Sequence, residues 1–438
     1  MIKKIGSLVL SALLTLSIAS CGGDAATPST QATTGSGVTT GTVELTYWYA
    51  WADKVQENNL ALTEEFNNTI GKEKGIHITP EYQGTYVELH QKLQSAYVAK
   101  TMPGISVMEI ASTKPFAENS VIEPLNTYID NTGVDMSDFY EGLLTNAKVG
   151  DDWYGIPYLR STPILYMNTS ILEEAGLDPS GPKNWDEMGE YFKTVKEKTG
   201  KYGMTLISDI WFLEAFLLEN GSSSLNADET KTNLDSPESK EVFAFFKDMI
   251  DKGYVRAVAG ADSEKVQADI MNQNSAMWFA STGSLANTLA IAEENGFGVN
   301  TSFIPGNPDY GVPTGGCNLV MTTGMTDEQK DAAWTFIKWM TEPEQAATSC
   351  KTTGYLPTRR TATETETLKT LFQENPQFEV ALQQLEQYGH GRPTTSKYAE
   401  TYKEFTAAMD GIWVNGEDID STLTTQAEKI NKILSTEG

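Results

Sequence analysis

Positive charge and histidine are scarce in this chain of 438 residues. Lysine and arginine number 32 against 59 aspartates and glutamates, a formal net charge of −27, and there are three histidines. The acidic excess argues against nucleic acid and acidic lipid headgroups as partners, since both carry the same sign. An anionic ligand would therefore need a locally arranged site. His77, His90 and His390 lie far apart and form no ligand-spaced pair, so no metal site is read. HExxH pairs, Walker A loops and nucleophile elbows are missing, and Lys198-Thr199-Gly200-Lys201 lacks the earlier glycine and the following Ser or Thr. The oxygen-rich run 226–235 lacks the glycine of a calcium loop and reads as solvated. Nothing here demands catalysis or a cofactor; the many carboxylates leave a secreted glycosidase as a remote alternative, because sequence cannot pair two across a cleft.

Long apolar runs are also absent, apart from one at the start. Residues 5–18 follow Lys3 and Lys4 and are too short to span a bilayer as a permanent helix. They lead into Ala19-Ser20-Cys21, an ending that resembles the bacterial lipoprotein signal, in which the cysteine thiol receives a lipid and becomes the new N-terminus. An ordinary secretory signal with a cysteine near the cut is the alternative. Residues 1–20 are thus read as a signal peptide and Cys21 as the lipidation site of an extracytoplasmic, membrane-anchored protein. Residues 21–41, rich in Gly, Ser, Thr and Ala, are read as a flexible tether spanning roughly 25 Å. Cysteine is rare: with Cys21 acylated only Cys317 and Cys350 remain, and outside the cytoplasm they can pair or stay as two buried thiols.

From residue 42 onward strand-like and helix-like patterns alternate, and the length exceeds what one core usually serves. The expectation is an α/β protein of two lobes with mostly parallel strands. Val43-Glu44-Leu45-Thr46-Tyr47-Trp48-Tyr49 reads as the first strand, and the runs 77–82, 105–110 and 276–280 as others. Capping boxes are read at Thr85/Glu88, Asn184/Glu187 and Thr326/Gln329, and Ser284 is read as the cap of a helix that Gly296 ends. Taken alone, Ser281-Thr282-Gly283-Ser284 after a strand can either aim backbone amides at an anion or simply cap a helix.

Several blocks resemble one family. Trp153-Tyr154-Gly155-Ile156-Pro157-Tyr158, Ser161-Thr162-Pro163-Ile164-Leu165-Tyr166-Met167-Asn168, Ala175-Gly176-Leu177-Asp178-Pro179, Ser281-Thr282-Gly283-Ser284, Gly315-Gly316 and Thr353-Gly354-Tyr355-Leu356-Pro357 occur in order over nearly the whole body. They are similar to the extracellular solute-binding proteins (family 1) of ABC importers, most of all to the glycerol-3-phosphate-binding branch, whose members also take glycerophosphodiesters; oligosaccharide binders share several blocks. The resemblance implies a two-lobed periplasmic-binding-protein fold of type II, with three crossing segments near 158–163, 313–316 and 355–357. Lobe one would be 42–158 with 314–355, and lobe two 159–313 with 356–438. It further implies a non-enzymatic monomer that closes on a small solute and hands it to permease subunits.

The ligand residues carried over are Tyr86, Glu109, Ser161, Trp211, Ser281, Gly316, Tyr355 and Arg392. Tyr86 and Tyr355 would give phenol hydroxyls to phosphate oxygens, Ser281 a hydroxyl, and Gly316 close backbone approach. Arg392, in the loop Tyr388-Gly389-His390-Gly391-Arg392-Pro393, would grip the phosphate, and Arg160 is the next arginine to consider. Glu109 would hold the glycerol hydroxyls unless it pairs with Lys114; Ser161 would add a further contact. Trp211 would line the cleft, whereas Trp185 reads as a helix staple. A second tryptophan of that branch is replaced here by Ser208, which would widen the cleft for a larger headgroup such as glycerophosphocholine.

Overall fold

A computed structural model describes residues 41–436. The signal peptide read at 1–20, Cys21 and the tether up to residue 40 lie outside the described residues. Ten strands carry the architecture: β1 (Val43–Tyr49), β2 (Ile76–Tyr82), β3 (Ile105–Glu109), β4 (Ile156–Ser161), β5 (Pro163–Asn168), β6 (Tyr202–Ile207), β7 (Val255–Val258), β8 (Ser275–Ser281), β9 (Val299–Ser302) and β10 (Gly315–Met321). They form two five-stranded sheets, ordered β2-β1-β3-β10-β4 and β9-β5-β8-β6-β7. The chain leaves the first sheet for the second at Thr162, between β4 and β5, and returns at Thr314, just before β10. At a third place the Leu356 amide donates to the Arg160 carbonyl at 2.8 Å.

The expectation of mostly parallel strands is corrected. In each sheet two neighbouring pairs are parallel and two antiparallel: β10 runs against β3 and β4, and β5 runs against β8 and β9. The cause is the crossing itself. A strand entering from the other lobe arrives at the opposite end of the sheet from one delivered by a local helical crossover, so it lies antiparallel to its neighbours.

Local signals explain the helices around these sheets. The Thr85 hydroxyl accepts from the Glu88 amide and the Glu88 carboxylate accepts from the Thr85 amide at 2.7 Å, closing a box that starts the helix Tyr86–Ala99. Thr326 and Gln329 do the same for Asp327–Met340. At Asn184 the cap is made, but Glu187 reaches past it to the Lys183 amide at 2.8 Å, so the box is not closed. Ser284 makes no side-chain cap. Ser281 caps instead, accepting from the Gly283 amide at 3.1 Å and starting a short 3-10 turn that leads into Leu285–Asn295.

Three apolar clusters hold the fold. One packs Tyr47, Phe66, Leu89, Leu93 and Phe336 against the first sheet. A second packs Phe192, Phe216, Phe243, Phe246 and Trp413 against the second sheet. Each such ring withdrawn from water stabilises its lobe by about 1.5–3 kcal/mol. A third cluster joins Ala347 and Cys350 to Tyr166, Trp278 and Leu285, with Leu356, Leu368, Phe378 and Leu385 over them. Cys317 and Cys350 are both buried and free, which settles the open question of their pairing. Among the described residues no helix is long and apolar enough to cross a membrane.

Candidate functional site

The strand ends of both sheets meet where the chain crosses, and the residues carried over by resemblance converge there. In the first sheet, Glu109 ends β3 with Cys317 of β10 as its register partner, and Gly315 lies opposite Ser161 of β4. From the second side, Ser281 ends β8 opposite Pro163, and Trp211 stands in the first turn of Ile210–Glu219. A Cβ at Gly315 would sit 2.6 Å from the Trp211 ring, and one at Gly283 would sit 2.7 Å from the Tyr355 ring. The Trp211 indole nitrogen donates to the Thr314 carbonyl at 3.2 Å, tying the helix to the return passage. Trp185, in contrast, is buried in the core, its ring 4.8 Å from that of Phe245.

Tyr86 opens its helix with its hydroxyl against the Cys317 thiol and the Tyr355 phenol. Burial pushes the Tyr86 and Tyr355 phenols well up, and pushes the Cys317 thiol up to about 11, so all three are neutral. They can donate hydrogen bonds without bringing charge. His90 stacks behind Tyr86 with centroids 6.3 Å apart, its pKa lowered to about 4 by burial.

Gly316 has φ +86° at a bulge in β10, and a Cβ there would meet the Leu159 carbonyl oxygen at 1.9 Å. Its lack of a side chain is therefore demanded by β4, whatever the ligand requires. Ser161 is buried at the end of β4.

Arg392 is the charged centre. Its loop is fixed by Asn146, whose side-chain oxygen accepts from the Arg392 amide at 3.0 Å and whose side-chain nitrogen donates to the Arg392 carbonyl at 3.1 Å. The parallel ribbon of Val312–Pro313 with Gly389–His390 brings that loop to the return passage. The guanidinium Nε donates to Glu214 at 2.9 Å, Nη2 donates to the Tyr398 hydroxyl, and Nη1 lies 3.6 Å from Glu109. The nearby carboxylates outweigh burial and raise its pKa, so it stays a cation. Glu109 pairs with Arg392 rather than Lys114, while its other oxygen accepts from the Ala111 amide at 3.1 Å.

Arg160 is spent. It is fully buried and donates to the carbonyls of Gly315 and Leu143, to Asn318 Oδ1 and to Thr314 Oγ1. Ser208 is buried too, with its amide on the Val258 carbonyl and its own carbonyl close to Gly260. A separate recess of about 240 Å³ lies beside Asp209, lined by Phe212, Gln267, Ser284 and Asn287 among others.

Sequence reasoning missed Asn146, Tyr398 and Glu214 as partners of Arg392. For Glu214 a signal existed: Ile-Trp-Phe-Leu-Glu-Ala-Phe-Leu-Leu-Glu is apolar on all sides, and a carboxylate inside such a helix must be paired. Asn146 and Tyr398 lie 246 and 6 residues from Arg392, and nothing local marks them.

Two lobes joined by crossing strands, with a buried arginine held by carboxylates at their polar seam, make the architecture of a solute-binding protein. The chain belongs to the bacterial extracellular solute-binding proteins, whose family model matches residues 61–380. It is similar to the sn-glycerol-3-phosphate-binding periplasmic protein UgpB of Salmonella typhimurium (strain LT2), 27% identical over 356 residues, 77% of this chain and 80% of that one. The homologue from Pectobacterium atrosepticum is 25% identical over 78% of this chain and 79% of its own. Among solved structures, UgpB from Mycobacterium tuberculosis in complex with glycerophosphocholine superposes with a TM-score of 0.80 at 24% identity, covering 90% of this chain and 99% of that one. The cyclic α-maltosyl-1,6-maltose binding protein from Arthrobacter globiformis gives a TM-score of 0.77 at 22% identity, with 90% and 99% covered.

Proposed function

We propose that this protein is the lipid-anchored receptor of an ABC importer, capturing a glycerophosphodiester between its lobes and delivering it to the permease. Cys21 is the anchor. Lobe one is 42–158 with 314–355, lobe two is 159–313 with 356–438, and ligand stabilises the closed arrangement that the permease recognises. In this reading Arg392 meets the phosphate, Tyr86, Tyr355 and Ser281 donate to its oxygens, and Glu109 accepts from the glycerol hydroxyls. Trp211, Ser161 and Gly316 shape the wall.

One observation carries the choice of a diester. Arg392 has the carboxylates Glu214 and Glu109 against it and Asp209 nearby, so the site has little spare positive charge. A dianionic phosphomonoester would be under-compensated there, whereas a singly charged diester with a cationic headgroup brings no net charge. The same balance favours a neutral oligosaccharide as the second reading, in keeping with the sugar-binding structural relatives.

Calorimetry decides between them. Glycerophosphocholine, glycerol 3-phosphate and maltotriose are titrated into the protein, and the diester is expected to bind most tightly. Binding of maltotriose alone would replace this reading with the sugar receptor. For the anchor, Cys21→Ser is expected to abolish metabolic acyl labelling; a normally labelled variant would refute it.

A further inference from the structure

Glu214 stands apart from the residues the family resemblance assigns to ligand. It is buried, and its carboxylate accepts three bonds from the protein: one oxygen accepts from Arg392 Nε at 2.9 Å, the other from the Tyr398 hydroxyl at 3.1 Å and the Ser224 hydroxyl at 3.3 Å. All three bonds go to protein groups, so Glu214 acts on ligand through Arg392. By occupying the Nε edge it fixes the guanidinium with Nη2 on the Tyr398 hydroxyl and Nη1 toward Glu109 at 3.6 Å. By its charge, together with Glu109 at 3.6 Å and the nearby carboxyl of Asp209, it offsets the cation it orients.

We infer that Glu214 is a specificity-determining positioning residue, which holds the guanidinium of Arg392 in place while neutralising its charge, and so selects singly charged phosphodiesters over phosphomonoesters. This rests on the reading of the site as a phosphate-ester receptor. A monoester carries a second proton with a pKa near 6, so its charge passes from about −1 to about −2 across neutral pH, whereas a diester does not change. A site with its cation cancelled should prefer the monoanion. The monoanion fraction falls about 25-fold between pH 5.5 and pH 7.5 for a pKa of about 6.

The test measures dissociation constants of the full protein for glycerol 3-phosphate and glycerophosphocholine at pH 5.5 and 7.5, in wild type and Glu214→Gln. Glutamine keeps an acceptor for Nε and removes the charge. In wild type, monoester affinity relative to diester should fall up to about 25-fold on raising the pH. In Glu214→Gln that fall should vanish or reverse, and at pH 7.5 the monoester should gain at least about tenfold relative to the diester. A merely structural role would weaken both ligands by one factor at both pH values, and that result overturns the inference while leaving the receptor reading intact. If the variant does not fold, the wild-type pH profile decides, because a monoester-to-diester ratio that stays constant with pH also overturns it. Wild type that binds neither phosphate ester removes the receptor reading and this inference with it.

Discussion

Replacing Arg392 by alanine should cost stability as well as binding, and the stability loss should depend on pH. The side chain is 9% exposed, Glu214 facing it is 4% exposed, and Glu109 lies on its far side. Removing one partner of a buried pair typically costs about 3–5 kcal/mol, because the other charge stays desolvated. With an unfolding entropy of about 2.1 cal/mol/K per residue, a body of this size would melt about 4–6 °C lower. The sign of the pH effect follows from Glu214. Burial already holds its pKa above the ordinary carboxyl value, with Arg392 pulling it back. Without Arg392 it should rise further. A carboxyl whose folded pKa is raised is most stable protonated, so its stability is whole below the unfolded pKa and is lost as pH rises through the folded one. The deficit of Arg392→Ala should therefore be small near pH 4.5 and grow toward pH 7.5. Denaturant melts of wild type and variant across that range measure it. A deficit that is constant with pH would refute the idea that Arg392 chiefly neutralises carboxylates. Arg392→Lys should recover part of the stability but little of the ligand affinity, since the ammonium lacks the planar fork.

Gly316→Ala should destabilise by more than about 3 kcal/mol or prevent folding, combining a left-handed backbone with a methyl 1.9 Å from the Leu159 oxygen; a denaturation midpoint like that of wild type would contradict this geometry. Cys317 and Cys350 should both remain reduced and unreactive toward a thiol reagent until the chain is unfolded, because both are buried with raised pKa values; intact-mass analysis after alkylation with and without denaturant reads this. His90, lowered to about 4, should show no imidazole titration by NMR between pH 5 and 8. Its contribution to stability is present above the unfolded value near 6.5 and is lost as pH falls toward 4, so His90→Phe should flatten the acid limb of the stability profile.

Much of this protein is legible in one dimension because the determining forces are local. Alternation set β1 (Val43–Tyr49), and the Thr85/Glu88 and Thr326/Gln329 boxes set two helix starts, since caps and periodicity act within a few residues. The ordered blocks around Ser161, Ser281, Gly316 and Tyr355 pointed to the two-lobed family and to residues that do meet at the crossing. Where side chains compete for the same backbone amides, local reading failed: Ser281, not Ser284, takes the cap, and Glu187 accepts from the Lys183 backbone amide rather than from that of Asn184. Strand direction likewise waited on which lobe each strand enters from. The charge state of the site was beyond sequence altogether. Arg392 and Arg160 look alike as arginines, yet Arg160 is consumed by four uncharged protein acceptors and Arg392 is held between the carboxylates Glu214 and Glu109. Those partners lie 178 and 283 positions away (392 − 214 and 392 − 109). Electrostatic balance is a sum over neighbours in space, and only the folded chain decides who the neighbours are.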